Sequence, residues 1–395
     1  MSDMKRSLYM SATFLAILVM LGAGQSMFKK GTSAQGRGEV RTPNYKVDPL
    51  WPKPLPSHWV LGSVTGVTVD GQDHIWIVHQ GADSLHNNEK GGILKPPTGC
   101  CVPAPQVLEF DSTGTLVSHW GGPGEGYDWP QFTGGITIDY QGNVWIAAAG
   151  KSEPIAGGSA SPPPPRPQDA HLLKFSREGR FLWQIGQAGK VEGSDSKGGL
   201  NRPAGMKVDP ASNEIYVADG YGNRRIVVFD AGTGGYKRHW GAYGEVPDDT
   251  DLGPYDPNAP PAKQFRTVSG VALSRDGLVY VCDRQNNRIQ VFQKNGKFVK
   301  EAFVSKTTLG EGSVWDIAFS HDSPQRFLYV ADGHDKKVLI LRRDTLEVVS
   351  SFGDGGRMPG QFYGVSSIAV DSRGNIYTGE TYEGKRVQKF VLQVK

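Results

Sequence analysis

The stretch that decides the fold of this chain is residues 205–229, GMKVDPASNEIYVADGYGNRRIVVF. It contains three short runs, 205–209, 215–219 and 225–229, that are rich in β-branched and other apolar residues and are separated by turn-forming residues. A fourth run follows and ends in Trp240 and Gly241. The stretch therefore predicts a sheet of four short antiparallel strands.

The opening run of this unit recurs along the chain. Its copies lie at 66–70, 135–139, 205–209, 270–274, 316–320 and 367–371. Four strands per unit make one blade of a propeller, so the copies predict an all-β, six-bladed β-propeller. The extra length of the early copies is expected in loops 81–105, 157–167 and 248–262.

The last copy supplies only three strands, the third at 386–390. The run His58-Trp59-Val60-Leu61-Gly62 directly precedes the first copy and carries the aromatic residue and glycine that mark fourth strands. We predict that residues 58–62 complete the last blade, because joining the two ends removes two exposed sheet edges. The predicted propeller spans residues 58–395, preceded by an extended segment at 35–57.

The N-terminal 34 residues have the pattern of an export signal. Lys5 and Arg6 precede an apolar stretch at 8–27, and small residues suited to cleavage follow. An uncleaved membrane anchor is the alternative, since the stretch approaches the length that spans a bilayer. We expect an extracytoplasmic protein, periplasmic or secreted, whose contact with a membrane is limited to this segment.

Composition narrows the class further. The chain of 395 residues has 52 glycines and 26 prolines, which excludes coiled coils and helical bundles. Once residues 1–34 are set aside, acidic and basic side chains are equal in number. A neutral surface gives no electrostatic basis for binding nucleic acid, so we exclude that partner. No feature of the sequence indicates the oligomeric state.

Three cysteines remain. Cys282 lies in an apolar run and is interpreted as a buried core residue. Cys100 and Cys101 are adjacent in a loop rich in proline and glycine. Outside the cytoplasm they can form a vicinal disulfide, and two packed thiols are the equal alternative.

Several motifs resemble NHL-repeat propellers. They are the runs 201–203 and 219–221, the pair Trp240-Gly241, and Asp283-Arg284-Gln285-Asn286-Asn287-Arg288-Ile289-Gln290. Within that group the chain is similar to the peptidyl-hydroxyglycine α-amidating lyases, over roughly residues 58–392. The resemblance implies a six-bladed ring around one catalytic zinc, held by three histidines beside a catalytic tyrosine and arginines.

Carried over position by position, the resemblance places the three zinc histidines on Gly134, Ser269 and Ser366. Glycine and serine are not the imidazole, thiolate or carboxylate ligands that zinc takes in proteins. The family tyrosine matches Tyr221 and one arginine matches Arg284. The resemblance therefore implies the family's scaffold without its zinc site.

A second family arginine falls on Gln80, which follows His79. The six positions expected at the mouth of the ring are mostly small and neutral: Thr65, Gly134, Ala204, Ser269, Trp315 and Ser366. Such a ring suits a small neutral molecule, with Trp315 as a stacking face and Tyr221, Arg284 and Gln80 orienting polar atoms. The primary hypothesis is a propeller that binds such a ligand, or another extracytoplasmic protein, without a catalytic metal.

The alternative hypothesis is a divergent lyase or hydrolase that uses Tyr221 and Arg284 with a relocated divalent metal at His79 and Asp316. Structural calcium in the acidic loop at 248–256 is a further candidate, although no EF-hand spacing is present. Acids also stand at the end of the second strands of four repeats, at Asp219, Asp283, Asp332 and Glu380. We interpret these acids as structural, since charges near a core persist mainly when they are paired.

Overall fold

The computed structural model describes residues 41–151 and 166–393. The predicted export segment, residues 1–34, lies outside the described residues. No helix within those ranges is long and apolar enough to cross a membrane. The described residues from Asn44 onward form one compact unit.

The described chain is built from short β-strands and a few 3₁₀ turns. In the first half the strands are β1 (Asn44–Asp48), β2 (Trp59–Val60), β3 (Val64–Val69), β4 (Ile75–His79), β5 (Val102–Pro103), β6 (Val107–Phe110), β7 (Leu116–Trp120), β8 (Thr133–Ile138), β9 (Val144–Ala148), β10 (His171–Phe175), β11 (Phe181–Gly186), β12 (Gly205–Asp209) and β13 (Glu214–Asp219).

In the second half they are β14 (Arg225–Asp230), β15 (Tyr236–Trp240), β16 (Val268–Leu273), β17 (Leu278–Asp283), β18 (Arg288–Gln293), β19 (Phe298–Phe303), β20 (Asp316–Phe319), β21 (Phe327–Asp332), β22 (Lys337–Arg342), β23 (Val348–Phe352), β24 (Val365–Val370), β25 (Ile376–Glu380) and β26 (Arg386–Gln393). The 3₁₀ turns span Gly81–Ser84, Asn87–Glu89, Gly91–Ile93, Ala242–Gly244 and Arg284–Asn286.

Six four-stranded antiparallel sheets form the blades, which confirms the predicted all-β, six-bladed propeller. In chain order the sheets are β3-β4-β6-β7, β8-β9-β10-β11, β12-β13-β14-β15, β16-β17-β18-β19, β20-β21-β22-β23 and β24-β25-β26-β1. The first strand of each blade contacts the first strands of its neighbours, so these six strands surround the axis.

The ring is closed by an N-terminal strand, but the prediction of which residues form that strand is wrong. Residues 44–48, not 58–62, pair antiparallel with β26 and complete the last blade. The ring of Tyr45 packs against those of Tyr329 and Phe352, 5.7 and 5.3 Å between centroids, and this alternating apolar face selects β1. Trp59 instead belongs to a short parallel pair with the long loop of the first blade.

The core lies between neighbouring sheets. Side chains of the fourth blade, such as Tyr280 and Ile289, pack on Leu328 and Leu341 of the fifth, and all four are essentially buried. Each such side chain contributes about 1.5–3 kcal/mol on leaving water. Because every blade presents one face to each neighbour, the sheets stabilise one another around the ring.

Buried ion pairs occupy the ends of the second strands, as the sequence predicts for the acids there. Asp219 contacts Arg225 at 2.9 Å and Asp283 contacts Arg288 at 2.7 Å, with all four side chains buried. Glu380 pairs with Arg386. Asp332 differs, since no arginine or lysine of the described chain lies within ion-pair distance of its buried carboxyl.

Candidate functional site

A cavity of about 960 Å³ opens where the first strands of the blades meet around the axis. All six residues predicted at the mouth line it: Thr65, Gly134, Ala204, Ser269, Trp315 and Ser366. Gln80, Tyr221, Arg284 and Asp316 line it as well. The positions that the repeat pattern marks at the mouth therefore line this cavity.

The hydroxyl groups at the mouth join neighbouring blades. Ser269 Oγ donates to the carbonyl oxygen of Val314 at 3.0 Å, and Ser366 Oγ donates to that of Val64 at 2.8 Å. Thr65 and Thr133 share a hydrogen bond of 2.9 Å between their hydroxyls. These groups hold the first strands together around the axis.

The positions on which the resemblance places the zinc histidines do not fit a zinc ion. Both serine hydroxyls are engaged with backbone carbonyls, and neither serine supplies an imidazole or thiolate. A Cβ atom at Gly134 would lie only 2.7 Å from the carbonyl oxygen of Ala204 and 2.9 Å from the Cβ of Ala147. The backbone therefore leaves no room for a histidine at residue 134.

One wall of the cavity combines aromatic rings with a guanidinium group. Arg284 Cζ lies 4.5 Å from the ring centroid of Trp315 and 5.6 Å from that of Tyr221. Its Nη2 donates to Glu311 at 2.6 Å, and the ring of Tyr382 meets Trp315 edge-on at 6.1 Å. Arg284 is only 8% exposed, and its buried Nε has no hydrogen-bond partner among the residues that the structure describes.

Gln80 faces the cavity from the first blade. Its Nε2 donates to both the carbonyl oxygen and the hydroxyl of Thr133, at 3.0 Å each. These bonds fix the amide between the first two blades. Gln80 is thus positioned at the mouth by the scaffold, as a rigid part of the wall.

His79 does not face the cavity. It is fully buried, its Nδ1 accepts from the backbone N–H groups of Gly62 and Gly81, and its Nε2 is left to donate to the carbonyl of Pro105. Desolvation lowers the pKa of His79 to about 4. Both ring nitrogens are therefore engaged, and the structure does not bring His79 together with Asp316 as metal ligands.

Two charged side chains of the first strands also face the cavity. Lys207 and Asp316 both line it, from the third and fifth blades. Burial lowers the pKa of Lys207, opposed by the field of Asp316. Burial likewise raises the pKa of Asp316, whose oxygens accept backbone N–H bonds from Ile317 at 2.8 Å and Ile368 at 3.0 Å.

Sequence reasoning missed Tyr382, Glu311, Arg202 and Lys207 in the lining. The repeat could have identified Tyr382 as a lining residue, because it stands two residues after Glu380 as Tyr221 stands two residues after Asp219. The repeat could also have identified Lys207, because the equivalent positions of the other repeats are small: Thr68, Thr137, Ala272, Ala318 and Ala369. Glu311 and Arg202 lie outside the repeated runs, where no pattern marks them.

Outside the cavity, one group of described side chains has the spacing of a metal site: Asp70, His74 and Glu109. Arg177 occupies the position that a metal ion would take in this group. Its Nη2 lies 2.8 Å from Asp70 Oδ2 and also contacts Glu109. The guanidinium supplies the positive charge that an ion would bring. The group is therefore an ion pair between the first two blades.

The acidic loop considered for calcium is held by hydrogen bonds within the loop and to residue Ser194. Asp249 accepts from the backbone N–H of Ser194 at 3.0 Å, and Asp248 accepts from the hydroxyl of Thr250 at 2.7 Å. In the loop of the first blade, Cys100 and Cys101 are joined as a vicinal disulfide. Cys282 is buried in the core between blades.

Comparison with known proteins gives the same picture of the scaffold. The NHL repeat model matches residues 200–229 and 265–292. Peptidyl-glycine alpha-amidating monooxygenase B of Xenopus laevis is 26% identical over 245 residues, which are 61% of this chain and 24% of the frog protein. The chain thus matches about a quarter of that relative's length.

NHL repeat-containing protein 3 of Homo sapiens is 24% identical over 310 residues, 78% of this chain and 70% of the human protein. Among solved structures, a streptogramin B lyase superimposes with a TM-score of 0.52 at 11% identity, covering 89% of this chain and 98% of the lyase. That likeness concerns the fold alone. The chain is a six-bladed β-propeller that carries NHL repeats and is related in sequence to the peptidyl-glycine alpha-amidating monooxygenases and to NHL repeat-containing protein 3.

Proposed function

We propose that this propeller binds a small neutral organic molecule in the axial cavity, without a metal ion taking part. The observation that carries the proposal is the environment of the Arg284 side chain. This side chain is nine-tenths buried between Trp315 and Tyr221, and its Nε lacks a partner among the described residues. A buried donor without a partner costs about 1–3 kcal/mol, which a ligand acceptor would recover.

The shape and lining of the cavity support a ligand with a flat apolar face and at least one hydrogen-bond acceptor. Trp315 and Tyr382 offer aromatic surfaces, and the acceptor would meet Arg284. About 960 Å³ is at the upper end of the usual range for small-molecule sites. The absence of room for an imidazole at Gly134 and the engaged hydroxyls of Ser269 and Ser366 support binding without zinc.

A screen of neutral aromatic and heterocyclic compounds, read by saturation-transfer NMR and followed by calorimetry, tests the proposal. Trp315→Ala should weaken binding of any hit by about tenfold, the effect of losing one stacking face. The matched control is Trp59→Ala, because Trp59 contacts His119 away from the cavity. Binding should persist in EDTA. A ligand that binds only with added zinc, and equally well to Trp315→Ala, would overturn the proposal.

We also propose that the protein acts outside the cytoplasm. The basic residues and apolar stretch at 5–27 and the vicinal disulfide at Cys100 and Cys101 support export. Fractionation of cells that express the full chain, with mass spectrometry of its N-terminus, distinguishes cleavage from anchoring. Recovery of the intact chain in the cytoplasm with both thiols reduced would refute export.

A further inference from the structure

Lys207 breaks the pattern of the repeat inside the channel. At the equivalent position the other five blades carry alanine or threonine, so only the third blade sends a long cationic side chain from this place. Asp316 breaks the pattern too, since the first position of that run is glycine or serine in the other blades. Lys207 and Asp316, of opposite charge, thus lie among first-strand residues that line the cavity and are otherwise uncharged.

The amine of Lys207 is held without a direct partner. In the part of the chain that the structure describes, no acceptor lies within hydrogen-bond distance of its Nζ, and Asp316 acts on it only through its field. Gly270 leaves space beside the carboxyl, because a Cβ there would lie 3.1 Å from Asp316 Oδ1. Lys174 shows the contrast, since its ammonium lies 3.6 Å from Asp139 and 4.8 Å from the Trp145 ring.

We infer that Lys207 is a nucleophilic amine that captures a carbonyl-bearing ligand, an aldehyde or ketone, as a Schiff base inside the cavity. Both residues line the cavity, so a ligand seated against Trp315 can extend its carbonyl toward the amine. The inference uses the cavity of the proposed function and adds a covalent step to it. Desolvation lowers the pKa of Lys207 and so favours the neutral amine that this chemistry needs.

The step balances with groups already present. The amine lone pair forms a bond to the carbonyl carbon, the carbonyl electron pair moves to oxygen, and a proton passes from nitrogen to that oxygen. The resulting carbinolamine loses its oxygen as water when Asp316 donates a proton, and Asp316 regains a proton when the nitrogen gives up its last hydrogen. Burial raises the pKa of Asp316, which favours the protonated carboxyl at the start.

Borohydride trapping tests the inference on the full chain. The protein is incubated with benzaldehyde, reduced with sodium borohydride and mapped by peptide mass spectrometry. We expect a benzyl adduct on Lys207 at aldehyde concentrations that leave the exposed Lys297 unmodified. Lys207→Arg should remove that adduct, and Asp316→Asn should slow its formation by about tenfold or more. Lys297→Arg is the control variant and should leave trapping at Lys207 unchanged.

Adducts spread over surface lysines, with Lys207 modified no faster than Lys297, would overturn the inference. Peptide mapping of the wild-type protein compares Lys207 with Lys297 directly, so it gives this answer even if a variant does not fold. Benzyl alcohol separates the two proposals, because it has the same ring and no carbonyl. Calorimetry measures whether benzyl alcohol binds to wild type and to Lys207→Arg. If it binds both proteins alike while benzaldehyde gives no adduct, the cavity binds ligands and the Schiff base is refuted. If neither compound binds and no adduct forms, the proposed function is rejected as well.

Discussion

Replacing Asp332 by asparagine should stabilise the protein at neutral and alkaline pH. Asp332 ends the second strand of its blade as Asp283 does, but it lacks the arginine that Asp283 has in Arg288. Its carboxyl accepts from the backbone N–H of Asp335 at 2.9 Å and from the more distant hydroxyl of Ser305 at 3.4 Å. Desolvation, with the neighbouring Asp335 adding to it, raises the pKa of Asp332 from 3.8 to about 7.

The magnitude follows from the gap between these two values. Below pH 3.8 the carboxyl is protonated in both the folded and the unfolded chain, and between 3.8 and 7 only the folded chain keeps the proton. The free energy of unfolding therefore falls as pH rises through this window, because the folded state binds more protons. At 1.36 kcal/mol per pH unit, the loss reaches about 4 kcal/mol above pH 7.

Asparagine keeps the shape and the acceptor but carries no charge, so Asp332→Asn removes this loss. Urea unfolding of both proteins from pH 4 to pH 8 measures it: the stability of the variant relative to wild type should rise by about 4 kcal/mol across the range. Asp283→Asn is the matched control, and it should cost about 3 kcal/mol or more because Arg288 is left without its partner. Parallel curves for wild type and Asp332→Asn would refute the reasoning.

The other predictions concern the strand that closes the ring, the residues at the mouth of the cavity and the buried His79. Tyr45→Ala should cost about 3 kcal/mol and speed proteolysis near β1; unchanged thermal unfolding would contradict the closing role. Ser366→Ala should cost about 1 kcal/mol in urea unfolding through loss of its bond to Val64, whereas no cost would mean that the bond is not stabilising. Gly134→His should lower the melting temperature and bind no zinc by elemental analysis, and a stable zinc-bound variant would refute the steric argument. For His79, with a pKa of about 4 against 6.5, wild type should lose about 3 kcal/mol relative to His79→Gln as pH falls from 6.5 to 4; a constant difference in urea unfolding would contradict this.

The repeat made most of the fold predictable. The run at 205–209 and its copies mark the first strand of every blade, so the number of blades and the position of the axis follow from counting copies. The closing strand was missed because Trp59 carries the aromatic signal of a fourth strand. The decisive signal is instead the alternation of Tyr45 and Val47, which is visible only against the partner face of the fifth and sixth blades.

Within the candidate site, positions on the strands were predictable and interactions between blades were not. Trp315 and Ser366 follow from the repeat, because Trp315 directly precedes the first strand β20 and Ser366 lies within the first strand β24. Glu311 and Arg202 lie in connections whose course depends on packing, so no spacing in the sequence reveals them. Lys207 stands on a first strand, but its significance depends on its proximity to Asp316, two blades away.

The sixth blade takes its outermost strand from residues 44–48 and its other three from residues 365–393. If β1 peels away, the backbone N–H and C=O groups along β26 lose their partners and become a template for any extended chain. The best complement to that edge is β1 of a second molecule. Exchange of this strand would tether two propellers to one another while every blade keeps its native pairing, so the same contact that completes one ring also offers a route to a swapped pair.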